Sequence, residues 1–366
     1  MIGHKLVPSR SGGIEVAVEA LSTRMAALGH QVTLYNRGKH PLMHQKIYNG
    51  VQIRHVPVIR WAGPSAVLGS FLATIKAIFG GYDCIHFHAE GIAAMTALPR
   101  LLKIPMVVTI HGLDWQRSKW GRFASWYLKL GERNAVRYAD EIIVLSQATR
   151  QYFMDTYGRE TVYIPNGMPT PDHAEADRIT RAWGLHKNEY FLYLGRVVPE
   201  KGLENLIRSF MQVRTDKKLV IAGGESDMPE YYAMLQALAA ADKRIVFTNF
   251  VQGSEWQELF SNCYCYCLPS YLEGMPISLL EALSFNNCCL SSDIPECAEV
   301  LGEWGYQFKC GDTEDLRRQL QTLAEHPEMV AECRRQVEAH FTHLTWDEVT
   351  EQTLALYHKA RKEDRT

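Results

Sequence analysis

The sequence predicts an α/β protein made of two doubly wound domains, each a parallel sheet with helices on both faces. Short runs rich in β-branched and aromatic residues alternate with helical patterns through both halves of the chain. This order is typical of parallel sheets with crossover helices. The chain has 366 residues, which is too many for one ordinary core and about right for two domains.

The expected strands of the first domain, which spans 1–165, lie at residues 2–7, 32–36, 52–57, 83–88, 106–110, 141–145 and 162–164. Those of the second domain, which spans 166–345, lie at residues 190–194, 218–222, 245–248, 264–268, 289–291 and 306–309. The break falls where Pro165, Pro169 and Pro171 crowd a polar stretch, because such composition is typical of linkers. Helical patterning from 345 to 362 predicts that a helix closes the chain, within residues 346–366.

The composition excludes some classes of partner. With 46% hydrophobic residues, 22% charged residues and a formal net charge of −2, the chain is typical of a soluble globular protein. Nucleic acid is not expected as a partner, because that would need a basic surplus.

Nine cysteines are present, and Cys263, Cys265 and Cys267 alternate at period two, which predicts one face of a strand. No CxxC pair or Cys/His metal spacing occurs. We therefore expect a reduced cytoplasmic protein with buried thiols and no structural zinc.

The start of the sequence lacks the basic stretch, apolar core and small-residue cleavage site of a secretory signal. The most apolar run, residues 61–81, contains Pro64 and Lys76. It has the ~20 residues that a membrane span requires but is only moderately apolar. We expect a helix that covers a sheet, and a bilayer-spanning helix is the alternative.

Two carboxylates, Glu273 and Glu281, stand eight residues apart, and the loop between them, Gly274, Met275 and Pro276, runs into an apolar helical pattern. Proline suits the first helical turn, where its missing N–H costs nothing. Glu273 is therefore expected on the loop and Glu281 near the second turn, so that both can reach one ligand.

Two cations follow the apolar run 190–194, which Gly195 ends. Arg196 and Lys201 stand before Gly202, which opens a helix, and cations beside a helix N-terminus suit an anion. Cations for a diphosphate and carboxylates for hydroxyl groups indicate a nucleotide-sugar site. The alternative is a capped surface helix with ordinary solvated acids.

These residues resemble the donor site of the retaining glycosyltransferases of family 4, the group 1 transferases. The shared pattern is Gly-x4-Glu-Lys-Gly, from Gly195 to Gly202, followed by Glu-x7-Glu, from Glu273 to Glu281. The resemblance implies the GT-B architecture, in which two Rossmann-like domains face each other across a cleft and a terminal helix crosses back to the first domain. Family members usually carry a few more residues before the first strand, so we expect this sequence to be short at its start.

The resemblance also implies a reaction, the transfer of a hexosyl group from a nucleotide diphosphate sugar to a hydroxyl of a saccharide or lipid-linked saccharide, with retention of configuration. Residues 8–13 and 111–117 are similar to a subgroup of bacterial capsule and cell-wall polysaccharide enzymes that includes rhamnosyltransferases. This similarity suggests dTDP-rhamnose or a UDP-hexose as the donor. Two rivals stay open: a GT-B sugar-nucleotide epimerase, which would need no acceptor, and a non-catalytic nucleotide-sugar-binding protein.

By resemblance, Arg196 and Lys201 would stabilise the departing diphosphate, Glu273 would hold sugar hydroxyls and Glu281 the ribose. His111, which follows the strand 106–110, would contact the transferred sugar, and its alternative is a histidine hydrogen-bonded within the core. The other donor-binding residues would be Gly12 and Gly13 at the diphosphate, Gly224 near the nucleotide, Phe250 and Val251 at the base, Asn166 in the interdomain turn, and the motif residues Gly195, Gly274, Met275 and Pro276.

No Asp-x-Asp occurs in the sequence, and metal-dependent GT-A transferases hold a divalent ion with that motif. We therefore expect neither a metal nor another cofactor, with Arg196, Lys201 and helix N-termini acting on the diphosphate instead. His86 and His88 share one face of a strand, but no third ligand of suitable spacing is evident, so we favour structural or acceptor-side roles.

Aromatic and basic residues mix from residue 115 to 138. Basic residues beside Trp and Phe are what an interfacial helix uses to hold an anionic membrane, which would make the cytoplasmic protein peripheral at the inner face of the cell membrane. The alternative is a helix packed on the sheet with a solvated basic face. The residues concerned are Trp115, Trp120, Phe123, Trp126, Tyr127, Arg117, Lys119, Arg122, Lys129, Arg133 and Arg137.

Overall fold

The chain forms two compact units. The computed structural model describes residues 1–37, 46–57, 64–117, 120–224 and 228–363. Unit 1 comprises Met1–Gly167 and Leu344–Thr366, and unit 2 comprises Met168–His343. Both contain largely parallel sheets connected through helices, which confirms the expected α/β fold class.

The strands of unit 1 are β1 (Thr33–Arg37), β2 (Ile47–Tyr48), β3 (Val51–Val56), β4 (Ile85–His88), β5 (Met106–Ile110), β6 (Glu141–Val144) and β7 (Val162–Tyr163). Its helices are α1 (Gly13–Ala27), α2 (Pro64–Ile78), α3 (Glu90–Ala93), α4 (Ala97–Leu101), α5 (Arg122–Tyr138), α6 (Gln147–Tyr157) and α15 (Trp346–Glu363). A 3-10 helix, Asp114–Gln116, follows β5.

Residues 1–5 join the two sheets of unit 1, whose strand orders are β1-β3-β2 and β4-β5-β6-β7. On one side the N–H of Tyr35 donates to the carbonyl of Met1 at 3.3 Å, and on the other the N–H of His88 donates to that of Ile2 at 2.8 Å. The predicted strand 2–7 is wrong as a regular strand, because only Ile2 forms a bridge. Gly3, with a φ of +130°, departs from the strand conformation directly after it.

Helices from distant parts of the chain cover the sheets of unit 1. The helix expected within 61–81 is α2, which packs against β1 and β3; residues 61–63 lie outside the described residues. The expected terminal helix is α15, which packs against α1 and β5. Across the described ranges, no helix combines the length and the apolar character that a membrane crossing requires.

The strands of unit 2 are β8 (Tyr190–Leu194), β9 (Lys218–Ala222), β10 (Ile245–Asn249), β11 (Cys265–Leu268), β12 (Cys289–Ser292) and β13 (Tyr306–Phe308). Its helices are α7 (Arg178–Trp183), α8 (Leu203–Phe210), α9 (Pro229–Ala239), α10 (Ser254–Asn262), α11 (Ile277–Ser284), α12 (Pro295–Leu301), α13 (Thr313–Glu325) and α14 (Pro327–His340). A 3-10 helix, Pro199–Lys201, precedes α8.

The strand order of unit 2, β10-β9-β8-β11-β12-β13, changes direction between β8 and β11. The chain leaves β8 toward β9 on one side and leaves β11 toward β12 on the other, while β8 and β11 pair in parallel. In doubly wound sheets, ligands bind beyond the carboxyl ends of strands at such a switch point. The loops after β8 and β11 are therefore the first place to look for a site.

The cysteine pattern needs a correction. Cys263 precedes β11 rather than belonging to it, and the intervening Tyr264 and Tyr266 are as buried as the cysteines. The alternation therefore does not separate a buried face from an exposed one, since both faces of this central strand are covered. All nine cysteines are free, and six of them are buried, as expected for small apolar groups.

Candidate functional site

The loops after β8 and β11 meet through a charged pair. The Lys201 ammonium forms an ion pair with the Glu273 carboxylate, and their side chains are only 13% and 8% exposed. Ser270 donates its hydroxyl to the same oxygen, Oε1 of Glu273, at 2.6 Å. Two predicted site residues that lie 72 positions apart in sequence are thus brought into contact in unit 2.

Backbone and hydroxyl contacts hold this carboxylate in place. The N–H of Tyr271 donates to the carbonyl of Glu200 at 2.8 Å, and Ser292 donates its hydroxyl to the carbonyl of Ser270 at 2.6 Å. Oε2 of Glu273 accepts no hydrogen bond from the described residues. The arrangement leaves one carboxylate oxygen able to accept a hydrogen bond from a ligand.

Arg196 is fixed by its backbone, while its side chain has no counter-ion among the residues that the structure describes. The Tyr193 hydroxyl donates to the carbonyl of Arg196 at 2.7 Å, and the N–H of Gly195 donates to the carbonyl of Ala222 at 3.0 Å. The Arg196 guanidinium makes neither a hydrogen bond nor an ion pair within the described part of the chain. Lys201 already has a carboxylate partner, so Arg196 is the cation available to an anionic ligand.

Close backbone contacts explain two glycines of these loops. Gly202 has a φ of +66°, and a Cβ there would lie 2.1 Å from the carbonyl oxygen of Pro269. A Cβ on Gly223 would lie 2.1 Å from the carbonyl oxygen of Gly195. A Cβ would clash at either position, and at Gly202 the positive φ would add strain, so the two glycines let neighbouring loops approach one another.

Gly224 and Phe250 are neighbours at the end of β9 and β10. A Cβ on Gly224 would lie 3.1 Å from Cβ of Phe250. The Phe250 ring is part of a residue that is 52% exposed, whereas Val251 is buried. An exposed aromatic beside a small residue offers a flat apolar surface to a planar ligand.

The loop from Glu273 leads into α11 with one difference from the expectation. Pro276 is the N-cap of α11, not a residue of its first turn, and its φ of −78° suits either position. Glu281 lies in the second turn, as expected, and is buried, as is Met275 in the loop beside Gly274.

His111 follows β5 in unit 1 and belongs to a chain of histidines. Its Nε2 lies 3.1 Å from Nδ1 of His88. The His86 ring is tilted by 32° against the His88 ring, with ring centroids 4.0 Å apart. Its Nε2 is hydrogen-bonded to the Thr109 hydroxyl at 2.7 Å and its Nδ1 to the Tyr357 hydroxyl at 2.6 Å. Sequence reasoning left His86 and His88 with structural or acceptor-side roles, and these contacts agree with a structural one.

Burial keeps these histidines neutral. It lowers the pKa of the His111 imidazole to about 4. Burial also lowers the pKa values of His86 and His88 well below their ordinary value, helped by neighbouring positive charge. His111 is therefore a neutral hydrogen-bonding group at pH 7. Within the described ranges, no group of three His, Cys, Asp or Glu residues could hold a metal ion.

The other predicted residues of unit 1 lie in two places. Gly12 is the N-cap of α1 and Gly13 its first residue. Glu15 accepts from the N–H of Lys5 at 2.8 Å and its Oε2 lies 2.7 Å from where a Cβ of Gly12 would be. Asn166 is buried in the turn after β7.

Gly167, next to Asn166, is needed for packing. A Cβ at Gly167 would lie 2.6 Å from the backbone of Trp346, where α15 begins. The sequence turn Pro165-Asn166-Gly167 therefore has a structural explanation in unit 1, whatever else Asn166 does.

Sequence reasoning missed a pair of buried acids near the His111 segment. Glu90 and Glu132 are fully buried, and none of their carboxyl oxygens has a hydrogen-bond partner of good geometry within the described residues. The backbone of Asp114 and Trp115 faces Glu90, and the hydroxyls of Tyr152 and Tyr157 face Glu132. Burial, together with Asp114 and Glu132, raises the pKa of Glu90 to about 9. Glu90 stands two residues after the end of β4, and that position beyond a strand end was the available signal. Ser270 was also missed, although it lies just beyond the end of β11 and so carries the same signal.

Two family models match the chain. The model described as Glycosyltransferase Family 4 matches residues 11–171, and the model described as Glycosyl transferases group 1 matches residues 176–340. These two stretches coincide with the larger part of unit 1 and most of unit 2.

Curated relatives are also glycosyltransferases. The uncharacterized glycosyltransferase YqgM of Bacillus subtilis (strain 168) is 32% identical over 207 residues, which are 55% of this chain and 56% of YqgM. The D-inositol 3-phosphate glycosyltransferase of Corynebacterium efficiens is 25% identical over 388 residues, covering 96% of this chain and 91% of that protein. The YqgM match thus spans little more than half of either protein.

Solved structures share the fold. Sucrose-phosphate synthase from Thermosynechococcus elongatus aligns with a TM-score of 0.79 at 18% identity, covering 98% of this chain and 95% of that chain. Anabaena Alr3699/HepE in complex with UDP-glucose aligns with a TM-score of 0.78 at 16% identity, covering 98% of both. At such identities the likeness extends to the fold, which is the GT-B fold with two Rossmann-like domains.

Proposed function

The chain belongs to the GT-B glycosyltransferases, with a family 4 region followed by a group 1 region, and on this premise we propose that it transfers a hexosyl group from a nucleotide diphosphate sugar to a saccharide hydroxyl. The observation that carries the proposal is the contact of Lys201 with Glu273 at the switch point of unit 2. It joins a cation suited to phosphate with a carboxylate whose second oxygen can accept from a sugar hydroxyl.

The proposed donor is a UDP-hexose or dTDP-rhamnose. The HepE neighbour was crystallised with UDP-glucose, which supports a uridine nucleotide. Glu273 would hold sugar hydroxyls, Glu281 the ribose, and Phe250 with Val251 the base beside Gly224. Gly12, Gly13, Asn166 and the motif residues Gly195, Gly274, Met275 and Pro276 complete the proposed donor contacts.

The proposed chemistry is a front-face transfer that retains the anomeric configuration. The bond from the sugar's anomeric carbon to the diphosphate oxygen breaks, and a bond to the acceptor oxygen forms on the same face. The acceptor proton passes to the departing phosphate oxygen, so no nucleophile of the protein is consumed. Arg196 and Lys201 stabilise the charge that develops on the diphosphate, which is the largest catalytic term of the proposal.

We propose that this transfer needs no metal ion, because Arg196 and Lys201 supply the positive charge. His111 would contact the transferred sugar as a neutral imidazole, in keeping with its lowered pKa. Its neutral form can donate from one ring nitrogen and accept at the other. The proposal therefore gives His111 a hydrogen-bonding role without a charge.

The proposed acceptor is a saccharide or lipid-linked saccharide of a cell-surface polysaccharide. One relative is the putative teichuronic acid biosynthesis glycosyltransferase TuaC of Bacillus subtilis (strain 168), 24% identical over 67% of this chain, which supports this class of product. A more specific alternative is that the enzyme is a rhamnosyltransferase. The proposed location is cytoplasmic, peripheral at the inner face of the cell membrane.

A nucleotide-sugar panel tests the donor. Thermal unfolding is measured with UDP-glucose, UDP-galactose, dTDP-rhamnose and GDP-mannose, each against its free nucleoside diphosphate, in buffer with EDTA. A nucleotide sugar present at a hundred times its Kd adds about 2.7 kcal/mol to the free energy of unfolding. We expect one of these nucleotide sugars to raise the Tm of the wild type, and to raise the Tm of Arg196→Ala much less. A panel without any shift would count against the proposal.

Product analysis separates the proposal from its rivals. With the donor that binds, a glycosyltransferase forms a new glycoside only when acceptor is added, and NMR of that product reports its anomeric configuration. An epimerase would convert the donor alone into its epimer. A binding protein would give neither product.

A further inference from the structure

The exposed side of α5 in unit 1 carries one kind of chemistry. Every exposed residue of α5 is basic or aromatic. Spacings of three and four residues place Arg122, Trp126, Lys129, Arg133 and Arg137 along one stripe, and Phe123 lies at its edge. The α5 face consists of Arg122, Phe123, Trp126, Lys129, Arg133 and Arg137.

The two aromatic residues of this face point away from the core. Phe123 is 79% exposed and Trp126 is 56% exposed, with ring centroids 5.7 Å apart. Leu128 and Ala135, on the opposite side of α5, are buried. The helix thus already has its packing side, and the explanation that its aromatics belong to the core does not hold for Phe123 and Trp126.

The four cations of the face have no acidic partners among the described residues. No carboxylate forms an ion pair with Arg122, Lys129, Arg133 or Arg137 in the described parts of the chain. Lys129 lies over the Trp115 ring at 4.1 Å instead. The only acid of α5, Glu132, is fully buried on another side. Over the ~25 Å that a helix of this length spans, the face is positive throughout.

We propose that the α5 face docks on the anionic surface of a phospholipid membrane, with Phe123 and Trp126 entering the headgroup region and the cations lying over lipid phosphates. The charge complementarity is the argument for this occupant, since aromatic residues flanked by Lys and Arg hold helices at anionic interfaces. The chain as a whole has a formal net charge of −2, so the excess of positive charge is a property of this face and not of the whole protein. Membrane binding does not depend on the proposed transferase activity. Only the purpose of that binding, access to a lipid-linked acceptor, rests on the proposed function.

Vesicle binding tests the proposal with the full chain. Cosedimentation is measured with vesicles of phosphatidylcholine alone and of phosphatidylcholine mixed equally with phosphatidylglycerol. The wild type is expected to bind only the mixed vesicles, and more weakly as salt rises. The double variant Arg133→Gln/Arg137→Gln should bind roughly thirty-fold more weakly, at about 1 kcal/mol for each cation.

Matched variants keep the test specific. Arg54→Gln/Arg150→Gln removes the same charge from exposed positions of unit 1 outside α5 and should bind as the wild type does. At high salt the wild type should keep part of its binding to mixed vesicles, and Phe123→Ser/Trp126→Ser should lose that part. The Tm and the donor-induced thermal shift report that each variant folds and still binds nucleotide sugar, so a failure here is distinct from a failure of the proposed function.

Three results would overturn the proposal. They are equal binding to both kinds of vesicle, wild-type binding by Arg133→Gln/Arg137→Gln, and binding to soluble heparin without binding to mixed vesicles. The last would assign the face to an anionic polysaccharide.

Discussion

Lys201 and Glu273 form an ion pair in unit 2 although 72 residues separate them in sequence. Their loops follow β8 and β11, which are adjacent parallel strands. The carboxyl ends of such strands meet at one edge of the sheet, so the two loops lie side by side. The pair therefore joins the two donor motifs that the sequence presents separately.

Replacing Glu273 by Gln should lower turnover about a hundred- to a thousand-fold while the fold survives. The amide keeps the shape and can still accept from Ser270, but it removes the charge that faces Lys201 and weakens the contact to sugar hydroxyls. Turnover is measured with the donor that the panel identifies, and folding by circular dichroism. Glu204→Gln is the matched control, because Glu204 pairs with the exposed Arg208 on α8; a similar loss there would contradict the assignment.

Gly202→Ala should destabilise the protein more than Gly184→Ala. Both glycines lie in unit 2 in the left-handed helical region, with φ of +66° and +60° and ψ of 21° and 38°, so both variants carry a similar backbone strain of about 1 kcal/mol. Only at Gly202 would the new Cβ meet a carbonyl oxygen, that of Pro269, whereas at Gly184 it would make an ordinary 3.5 Å contact with the end of the Lys218 side chain. Urea unfolding of the two variants isolates the contact, and equal losses would show that the loops after β8 and β11 are not closely packed.

Glu90→Gln should stabilise the protein, and increasingly so at higher pH. The pKa of Glu90 is raised to about 9 in the folded state, so the wild type loses stability as pH rises from about 4.5 toward 9, at most about 1.4 kcal/mol per pH unit. Glutamine cannot ionise and removes this slope. Urea unfolding at pH 5, 7 and 8.5 measures it, with exposed Glu160→Gln of unit 1 as the control. Parallel pH dependences of wild type and Glu90→Gln would mean that Glu90 is ionised at neutral pH.

His111→Gln should reduce the acid sensitivity of the fold. Burial lowers the pKa of His111 to about 4, below the ordinary 6.5, so stability is lost as pH falls from 6.5 toward 4. At pH 5.5 this single group costs about 1.2 kcal/mol relative to pH 7. Urea midpoints at pH 7.0 and 5.5 test the difference, and exposed His30→Gln serves as the control. An unchanged acid response in His111→Gln would mean that His111 is solvated and titrates normally.

Central parallel strands were the easiest part of the structure to predict. The observed β5, β8 and β9 have the predicted bounds, because continuous apolar runs between turn residues are typical of strands buried on both faces. The meeting of Lys201 with Glu273 was implied by the same pattern, since both follow such strands. The two-residue strand β2 was missed because it is too short and too exposed to leave a periodic signal.

Features that depend on tertiary packing were not visible in the sequence. An acid is normally solvated, so nothing in the sequence around Glu90 or Glu132 signals complete burial. The direction of Phe123 and Trp126 could not be assigned either, because aromatic residues in an amphipathic helix can face the core or the solvent. The role of residues 1–5 as a joint between two sheets also needed the structure, since Gly3 interrupts the strand pattern.

The position of α15 constrains how unit 1 is completed during synthesis. Its helix starts against Gly167 and supplies the hydroxyl of Tyr357 to buried His86, yet all of unit 2 is translated before it. Domains generally fold as units while the chain emerges, so unit 2 can mature as one uninterrupted stretch. Unit 1 must wait, with a buried histidine lacking one of its partners, until α15 has left the ribosome.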